Sequence, residues 1–188
     1  SEVTSGRAQN SAAAAPATGS DGSGYALLKT LRHSITPLSP ALVQLTSSSK
    51  YPRTLKGTRT RCGIKILING KETAAEYGEV LFTDYGLSGI AVMNVSETVS
   101  KAFAGGKQPK CLAVLDLIPE LSESEVLAHI RRFGDLKGIL GTKLSAITDK
   151  QANGNAQMQA HTAKNWQLIL TGTKGFDFAQ ITSGGIPL

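Results

Sequence analysis

At 188 residues the chain is long enough to bury a hydrophobic core, and its 40% hydrophobic content is ordinary for a globular protein. No apolar run reaches the roughly 18 residues that a membrane-spanning helix needs, and no signal-peptide pattern is visible, so we expect a cytoplasmic protein without a membrane partner. The net charge of +6 is dispersed and only 5% of the residues are aromatic, so a nucleic-acid partner is not favoured.

The first part of the chain, residues 1–24, is built from small and polar residues and ends in a run with three glycines. It lacks the apolar side chains that would offset the entropy of ordering, so we predict a flexible segment. Leucines at helical spacing then predict a short helix over 25–31, with Ser23 as its N-cap. Two prolines exclude further helix, and 41–45 is predicted to be a short strand.

The clearest local signal is a β-hairpin at Asn69-Gly70. Apolar and polar residues alternate over 60–68, which is typical of a half-buried strand. Asn-Gly tolerates the positive φ angles of a tight type I′ turn, so a returning strand is predicted over 72–82.

The middle of the chain predicts two helices around one strand. Ser88 is the expected N-cap of the first helix, and Gly105 should end it. A compact apolar run at 111–118 predicts a strand. Ser122 and Glu125 then form a capping-box pattern ahead of a second helix.

The last third predicts a short helix at 136–144, a polar loop at 149–155, and strands at 166–170 and 178–182. The strand count is then about six, with many antiparallel neighbours. We therefore predict an α+β, mainly β fold: an antiparallel β-barrel or sandwich of about six strands with a small helical subdomain.

Motifs for a self-contained active site are weak. The glycine-rich loop at 19–24 has the spacing GxxGxG instead of the Rossmann pattern GxGxxG, and no apolar strand precedes it. It would suit either an anion at a helix N-terminus or a plain turn. Cys62 and Cys111 lie in predicted strands and are expected to be buried thiols, and the histidines are scattered, so a metal site is not favoured.

Two further patterns are candidate functional sites. The carboxylates Glu123 with Glu125, and Asp84 near Glu79, favour exposed charges or caps over a catalytic pair, and no GxSxG nucleophile motif is present. The double glycine at 184–185 follows a predicted strand directly. It would let the backbone approach a ligand closely or simply form a turn.

Several separated stretches resemble one family, the bacterial NAD(P)/FAD-dependent oxidoreductases that include aminoacetone oxidases and bile-acid 3-oxo reductases. The resemblance covers residues 16–188, and the matching motifs occur in the family's order. They are PATGSDGSGY (16–25), LRHSITPLSPALVQL (31–45), GEVLFTDYGLSG (78–89), LTGTKGF (170–176) and AQITSGGIPL (179–188).

The resemblance implies a domain organisation. In that family a two-part FAD domain is interrupted by a β-barrel and a small helical domain on the substrate side of the flavin. Residues 1–24 would then be a flexible segment and exit loop from the FAD domain, and 25–118 the barrel insertion domain. Residues 119–165 would be the helical subdomain, and 166–188 the returning strands that end at the junction. The FAD contacts that the resemblance implies are Thr182, Ser183, Gly184, Gly185, Thr18 and Gly19.

The family's opening GxGxxG and its acidic ribose-binding residue have no counterpart in these 188 residues. We therefore expect a substrate-side insertion domain of an FAD-dependent oxidoreductase that lacks the dinucleotide-binding core and is inactive alone. FAD would be the cofactor of the parent protein, and the partners would be its FAD-binding domain and a small-molecule substrate. The alternative is a non-catalytic binding module for a protein partner or nucleic acid.

Overall fold

The computed structural model describes residue 19, residues 21–106 and residues 108–187. Within them, β-strands form a closed antiparallel barrel and a separate two-stranded ladder. In chain order the strands are β1 (Ser39–Ala41), β2 (Leu45–Ser47), β3 (Arg59–Ile68), β4 (Lys71–Phe82), β5 (Gly86–Ser88), β6 (Cys111–Asp116), β7 (Trp166–Thr173) and β8 (Ile181–Ser183).

The barrel is closed in the order β2-β5-β4-β3-β6-β7, and β7 pairs back onto β2. Strands β1 and β8 pair with each other outside it. This architecture confirms the predicted fold class. The helices of the described residues are α1 (Ser23–Thr30), α2 (Tyr51–Thr54), α3 (Ile90–Ala104), α4 (Glu123–Phe133), α5 (Thr142–Ala152) and α6 (Ala156–Lys164), with a 3₁₀ turn at Phe176–Phe178.

The barrel interior is apolar because every second side chain of a strand points inward, and these buried side chains are hydrophobic. Strand β6 alternates buried and half-buried positions, and β7 alternates buried and exposed ones. Cys62 and Cys111 are buried in this interior, as predicted. Trp166 stacks there on Phe82, with ring centroids 5.7 Å apart.

Helix α3 links the barrel to the β1–β8 ladder. It packs against β4 and β1, and it also contacts β2, β3, β5 and β7. Helices α4 to α6 form a separate layer between β6 and β7 in the chain, and α6 packs against both α4 and α5. Nowhere in the described ranges is a helix long and apolar enough to cross a bilayer.

The predicted hairpin is confirmed. Asn69 and Gly70 have φ of 52° and 85°, and β3 pairs with β4 along its whole length. A register shift between Ile66 and Leu67 bends the ladder near the turn. The Ser122–Glu125 capping box at α4 is also confirmed, with both reciprocal bonds present.

Several local predictions were wrong. Ser23 is the first residue of α1 and not its cap, and Gly89, not Ser88, precedes α3. The expected strand at 41–45 is two strands on either side of a bend at Leu42, which has φ of 49°. The polar stretch at 149–155 is not simply a loop, because α5 continues to Ala152.

The remaining boundaries also differ. Residues 136–140 form a turn, and the helix predicted there begins only at Thr142. Residues 178–180 precede β8, because a 3₁₀ turn takes up part of the strand predicted at 178–182. Strand β5 and helices α2 and α6 were not predicted.

Candidate functional site

The glycine-rich segment at 182–185 is held in the β1–β8 ladder. Ser39 pairs with Ser183, and Pro40 pairs with Thr182. Two chain segments far apart in sequence therefore meet at this ladder. Four of the predicted FAD contacts, Thr182 to Gly185, are consecutive here, and they lie against the segment at 36–39.

A threonine fixes the end of this segment. The Thr36 backbone N–H donates to the Gly185 carbonyl at 2.8 Å, and the Thr36 hydroxyl accepts from the Gly185 N–H at 2.9 Å. The same hydroxyl lies 3.0 Å from the Gly185 carbonyl, to which it donates. Gly185 thus has both backbone polar groups engaged, so this double glycine is an ordered part of the fold.

Gly184 is required by close backbone contact. Its φ is +96°, and a Cβ built on it would lie 2.4 Å from the Pro37 carbonyl oxygen. Gly185 also has a positive φ, of +140°, but a Cβ there would meet nothing within 4 Å. The first glycine therefore serves the fold, whereas the second leaves open space beside the backbone.

A cleft of about 330 Å³ lies beside the ladder and is lined by residues of the segment at 36–39, Lys101, Ala104, Ser183 and Gly184. The hydroxyls of Ser39 and Thr182 are buried without a hydrogen-bond partner among the described residues. Ser39 lines the cleft and is only 3% exposed. A buried hydroxyl without a partner is costly, so this wall suits a ligand that supplies a polar atom.

The charges at the cleft come from helix α3. Glu97 accepts a short hydrogen bond from the Ser183 hydroxyl and pairs with Lys101 one turn further along. The Lys101 ammonium and the Ser183 hydroxyl hold the pKa of Glu97 below its usual value of 4.5, because both favour the ionised carboxylate. The cleft therefore has a paired ionic edge beside neutral hydroxyls.

Replacing Ser183 with alanine is expected to raise the pKa of Glu97 toward 4.5, because one hydrogen bond to the carboxylate is lost. The stabilisation from a depressed carboxyl pKa is present above the unfolded-state value and is lost as the pH falls through the folded-state value. The stability difference between the two proteins should thus shrink below about pH 4.5. A carboxyl-carbon NMR titration measures the pKa directly. Ser100→Ala, on the same helix as Glu97, is the control. An unchanged pKa of Glu97 in the Ser183→Ala protein would contradict the assigned hydrogen bond.

Thr18 and Gly19 are the other two predicted FAD contacts. Thr18 lies outside the described residues. Gly19 is an exposed turn residue with φ of +81°, and among the described residues no hydrogen bond links it to 182–185. At the start of α1 the Asp21 carboxylate accepts from the Ser23 N–H at 2.9 Å, so this helix terminus already has an anion of its own.

The carboxylates of the candidate catalytic pairs have structural partners. Glu125 belongs to the capping box of α4. Asp84 pairs with Lys56 at 2.6 Å, and Glu79 pairs with Arg59. These contacts agree with the predicted interpretation as caps and surface charges.

Sequence reasoning missed the side chains that face the double glycine. They come from the segment before β1 (Thr36), from β1 itself (Ser39) and from α3 (Glu97 and Lys101), a helix that was predicted only for its apolar face. The i, i+4 spacing of Glu97 and Lys101 was a visible signal for an ion pair. Nothing in the sequence indicated that Ser183 would complete it.

This fold and its ladder can be compared with known proteins. The family described as "HI0933-like protein barrel and H2TH domain" matches residues 39–181, which is most of the chain. The chain belongs to this family. The HI0933-like match begins at the first residue of β1 and ends at the first residue of β8, so it spans the barrel and the helices between them.

A curated relative supports the same conclusion. The 3-dehydro-bile acid delta(4,6)-reductase of Clostridium scindens is 32% identical over 196 residues, which is 92% of this chain and 47% of that protein. The chain therefore spans about half the length of the curated relative. The resemblance to an insertion region of the bacterial flavin-dependent oxidoreductases is confirmed for this HI0933-like chain.

Proposed function

We propose that this chain is the substrate-side insertion domain of an FAD-dependent oxidoreductase, and that it shapes the active site without catalysing a reaction alone. The observation that carries the proposal is the ordered double glycine at 184–185 beside a cleft that is lined by Ser39, whose buried hydroxyl has no partner among the described residues. The family membership and the 47% coverage of a reductase support it. The reduction of a small organic substrate would be the activity of the whole protein.

The residues at the ladder fit contact with a flavin ring but not a complete FAD site. Gly185 leaves open space beside its backbone, and the Thr182 hydroxyl is without a partner in the described part of the chain. These groups would hold one edge of the ring, and bound FAD would supply hydride transfer. FAD also carries a diphosphate, which needs a glycine-rich turn at a helix N-terminus. In α1 that position has the Asp21 carboxylate, which would repel it.

An FAD-binding domain of the same protein is the proposed partner. Helix α1 has no buried residue; its Leu27 is 62% exposed, and Leu31, directly after the helix, is 61% exposed. Ile181 and Ile186, on either side of the double glycine, are also exposed. Apolar side chains on both connecting segments are what a docked domain would cover.

We propose the following division of the chain into domains. Residues 25–118 would be the barrel insertion domain, 119–165 the helical subdomain and 166–188 the returning strands. Residues 1–24 would be the exit from the FAD domain. We also propose a cytoplasmic location, on the basis of the family membership.

Visible absorption tests the proposal directly. The purified chain is incubated with excess FAD, desalted and scanned; we expect no retained flavin bands, because the residues that the structure describes offer no site for the diphosphate. The same chain, mixed with a separately produced FAD-binding domain of a family member, should reconstitute a complex that retains flavin. Stoichiometric flavin on the chain alone would overturn the proposal that the core lies elsewhere. Failure of the mixture to form any complex would overturn the docking assignment.

A further inference from the structure

A lysine between two aromatic rings lies at one end of the barrel. The Lys174 ammonium is 4.2 Å from the centroid of the Phe178 ring and 4.9 Å from that of the Tyr85 ring. The three side chains come from three separate segments: the end of β7, the 3₁₀ turn after it, and the connection between β4 and β5. We call them the Lys174 cluster.

The backbone holds each member of the cluster in place. The Lys174 N–H donates to the Gln44 carbonyl at 3.0 Å, and the Tyr85 carbonyl accepts from the Ser47 N–H at 2.9 Å. The Phe178 N–H donates to the Gly175 carbonyl within the 3₁₀ turn. Because all three anchors are main-chain bonds, the backbone positions of the three residues do not depend on the lysine charge.

The charge of Lys174 is not neutralised by a carboxylate. Among the described residues, Lys174 takes part in no ion pair, and its Nζ donates no hydrogen bond. Asp84, next to Tyr85, is already paired with Lys56. The rings attract the ammonium through their faces but accept no hydrogen bond from it here. Its three N–H donors are therefore available to a ligand.

The surroundings specify what kind of ligand would fit. Phe178 is 48% exposed, so an apolar surface continues outward from the charge. We propose that Lys174, Tyr85 and Phe178 bind the anionic group of an amphipathic organic ligand. The chemistry common to such ligands is an oxyanion, which is either a carboxylate or a phosphate, attached to an apolar body.

The Lys174 cluster lies near the ladder but is separate from the cleft. Gln44 is five residues from Ser39, a stretch that spans at most about 18 Å. An elongated ligand could therefore reach from the cluster toward the double glycine. The extension of the ligand toward the double glycine rests on the proposed function. Anion binding by the Lys174 cluster does not rest on it, and the test of anion binding needs no flavin.

NMR titration of the full, ¹⁵N-labelled chain tests the proposal. The probes are 2-naphthaleneacetate, 2-naphthyl phosphate and the neutral 2-naphthaleneacetamide. We expect one or both anions to shift the amide signals of Tyr85, Lys174 and Phe178. The anion that binds more tightly shows whether the cluster prefers a carboxylate or a phosphate. The neutral amide should bind about tenfold more weakly, since one charge-assisted contact is lost.

Variants distinguish the effect of the Lys174 charge on binding from an effect on the fold. Lys174→Met should weaken anion binding about tenfold, and Lys174→Arg should keep it within about threefold, because the positive charge remains. Lys150→Met, at an exposed position on α5, is the matched control and should bind like the parent. Equal affinity for the anion and the amide would overturn the proposal. So would unchanged affinity in a folded Lys174→Met protein, or no binding of either anion.

Discussion

Replacing Gly184 with alanine is expected to open the β1–β8 ladder, which is the proposed junction with the flavin domain. The new Cβ would lie 2.4 Å from the Pro37 carbonyl oxygen and 3.3 Å from the Leu38 Cα, at a φ of +96°. Both neighbours are main-chain atoms, so no side-chain rotation relieves the contact. We expect the free energy of opening the ladder to fall by about 3 kcal/mol, from positive-φ strain and the added overlap together.

Gly185→Ala is the matched control for this substitution. It also has a positive φ, of +140°, but its Cβ would meet nothing within 4 Å. We expect a cost of about 1–2 kcal/mol from backbone strain alone. Amide hydrogen exchange in the ladder reports its opening free energy. Equal exchange in the two variants would show that the contact with Pro37 does not constrain the ladder.

The sequence predicted those parts of the fold that local chemistry specifies. The Asn69-Gly70 turn was predictable because its backbone angles suit only a few residue types. The Ser122–Glu125 cap was predictable because both bonds form within four residues. The closed barrel followed less directly. About six strands were predicted, but one of them became β8 outside the barrel, and β5 was missed because a three-residue strand is too short for its alternation to be seen in the sequence.

Helix α6 shows why other elements were missed. Its buried residues are Gln159, Ala160 and Ala163, so no large apolar residue marks the inner face. The hydrophobic period is therefore weak although the helix is well packed. A usable signal was Asn155, whose side chain accepts from the Met158 N–H as an N-cap.

Of the candidate site, only the glycine-rich backbone segment was predictable from the sequence. The double glycine stood out because few other residues tolerate its conformation. Its polar neighbours are contributed by Thr36, Ser39 and Glu97, which reach it only when β1, β8 and α3 have packed together. Such contacts depend on long-range pairing, and no local pattern contains that information.

Replacing Lys164 with methionine is expected to lower the free energy of unfolding by about 2–4 kcal/mol, because the lysine joins the helical layer to the barrel. Its ammonium donates to the Ile118 carbonyl at 2.7 Å and the Leu121 carbonyl at 2.5 Å, and it lies 2.8 Å from the Asp116 carboxylate. All three donors are used, and the Lys164 side chain is only 13% exposed.

The position of Lys164 explains the size of this effect. It is the last residue of α6, and the Leu117 N–H donates to the Ala163 carbonyl beside it. The segment from β6 to α4 is therefore fastened to the end of α6 by a compact set of bonds. Methionine preserves the apolar stem but leaves a carboxylate and two carbonyls without their partner, and unpaired polar groups in a partly buried place are costly.

Urea denaturation of the Lys164→Met protein measures the loss, with Lys150→Met as the control because that lysine is exposed on α5. The control should change stability by less than about 0.5 kcal/mol. A double-mutant cycle with Asp116→Asn separates the ion pair from the two carbonyl contacts, since Asn keeps the size of the side chain but not its charge. If Lys164→Met were as stable as its control, the helical layer would have to be held by apolar packing alone, and the polar contacts at the end of α6 would be incidental to the fold.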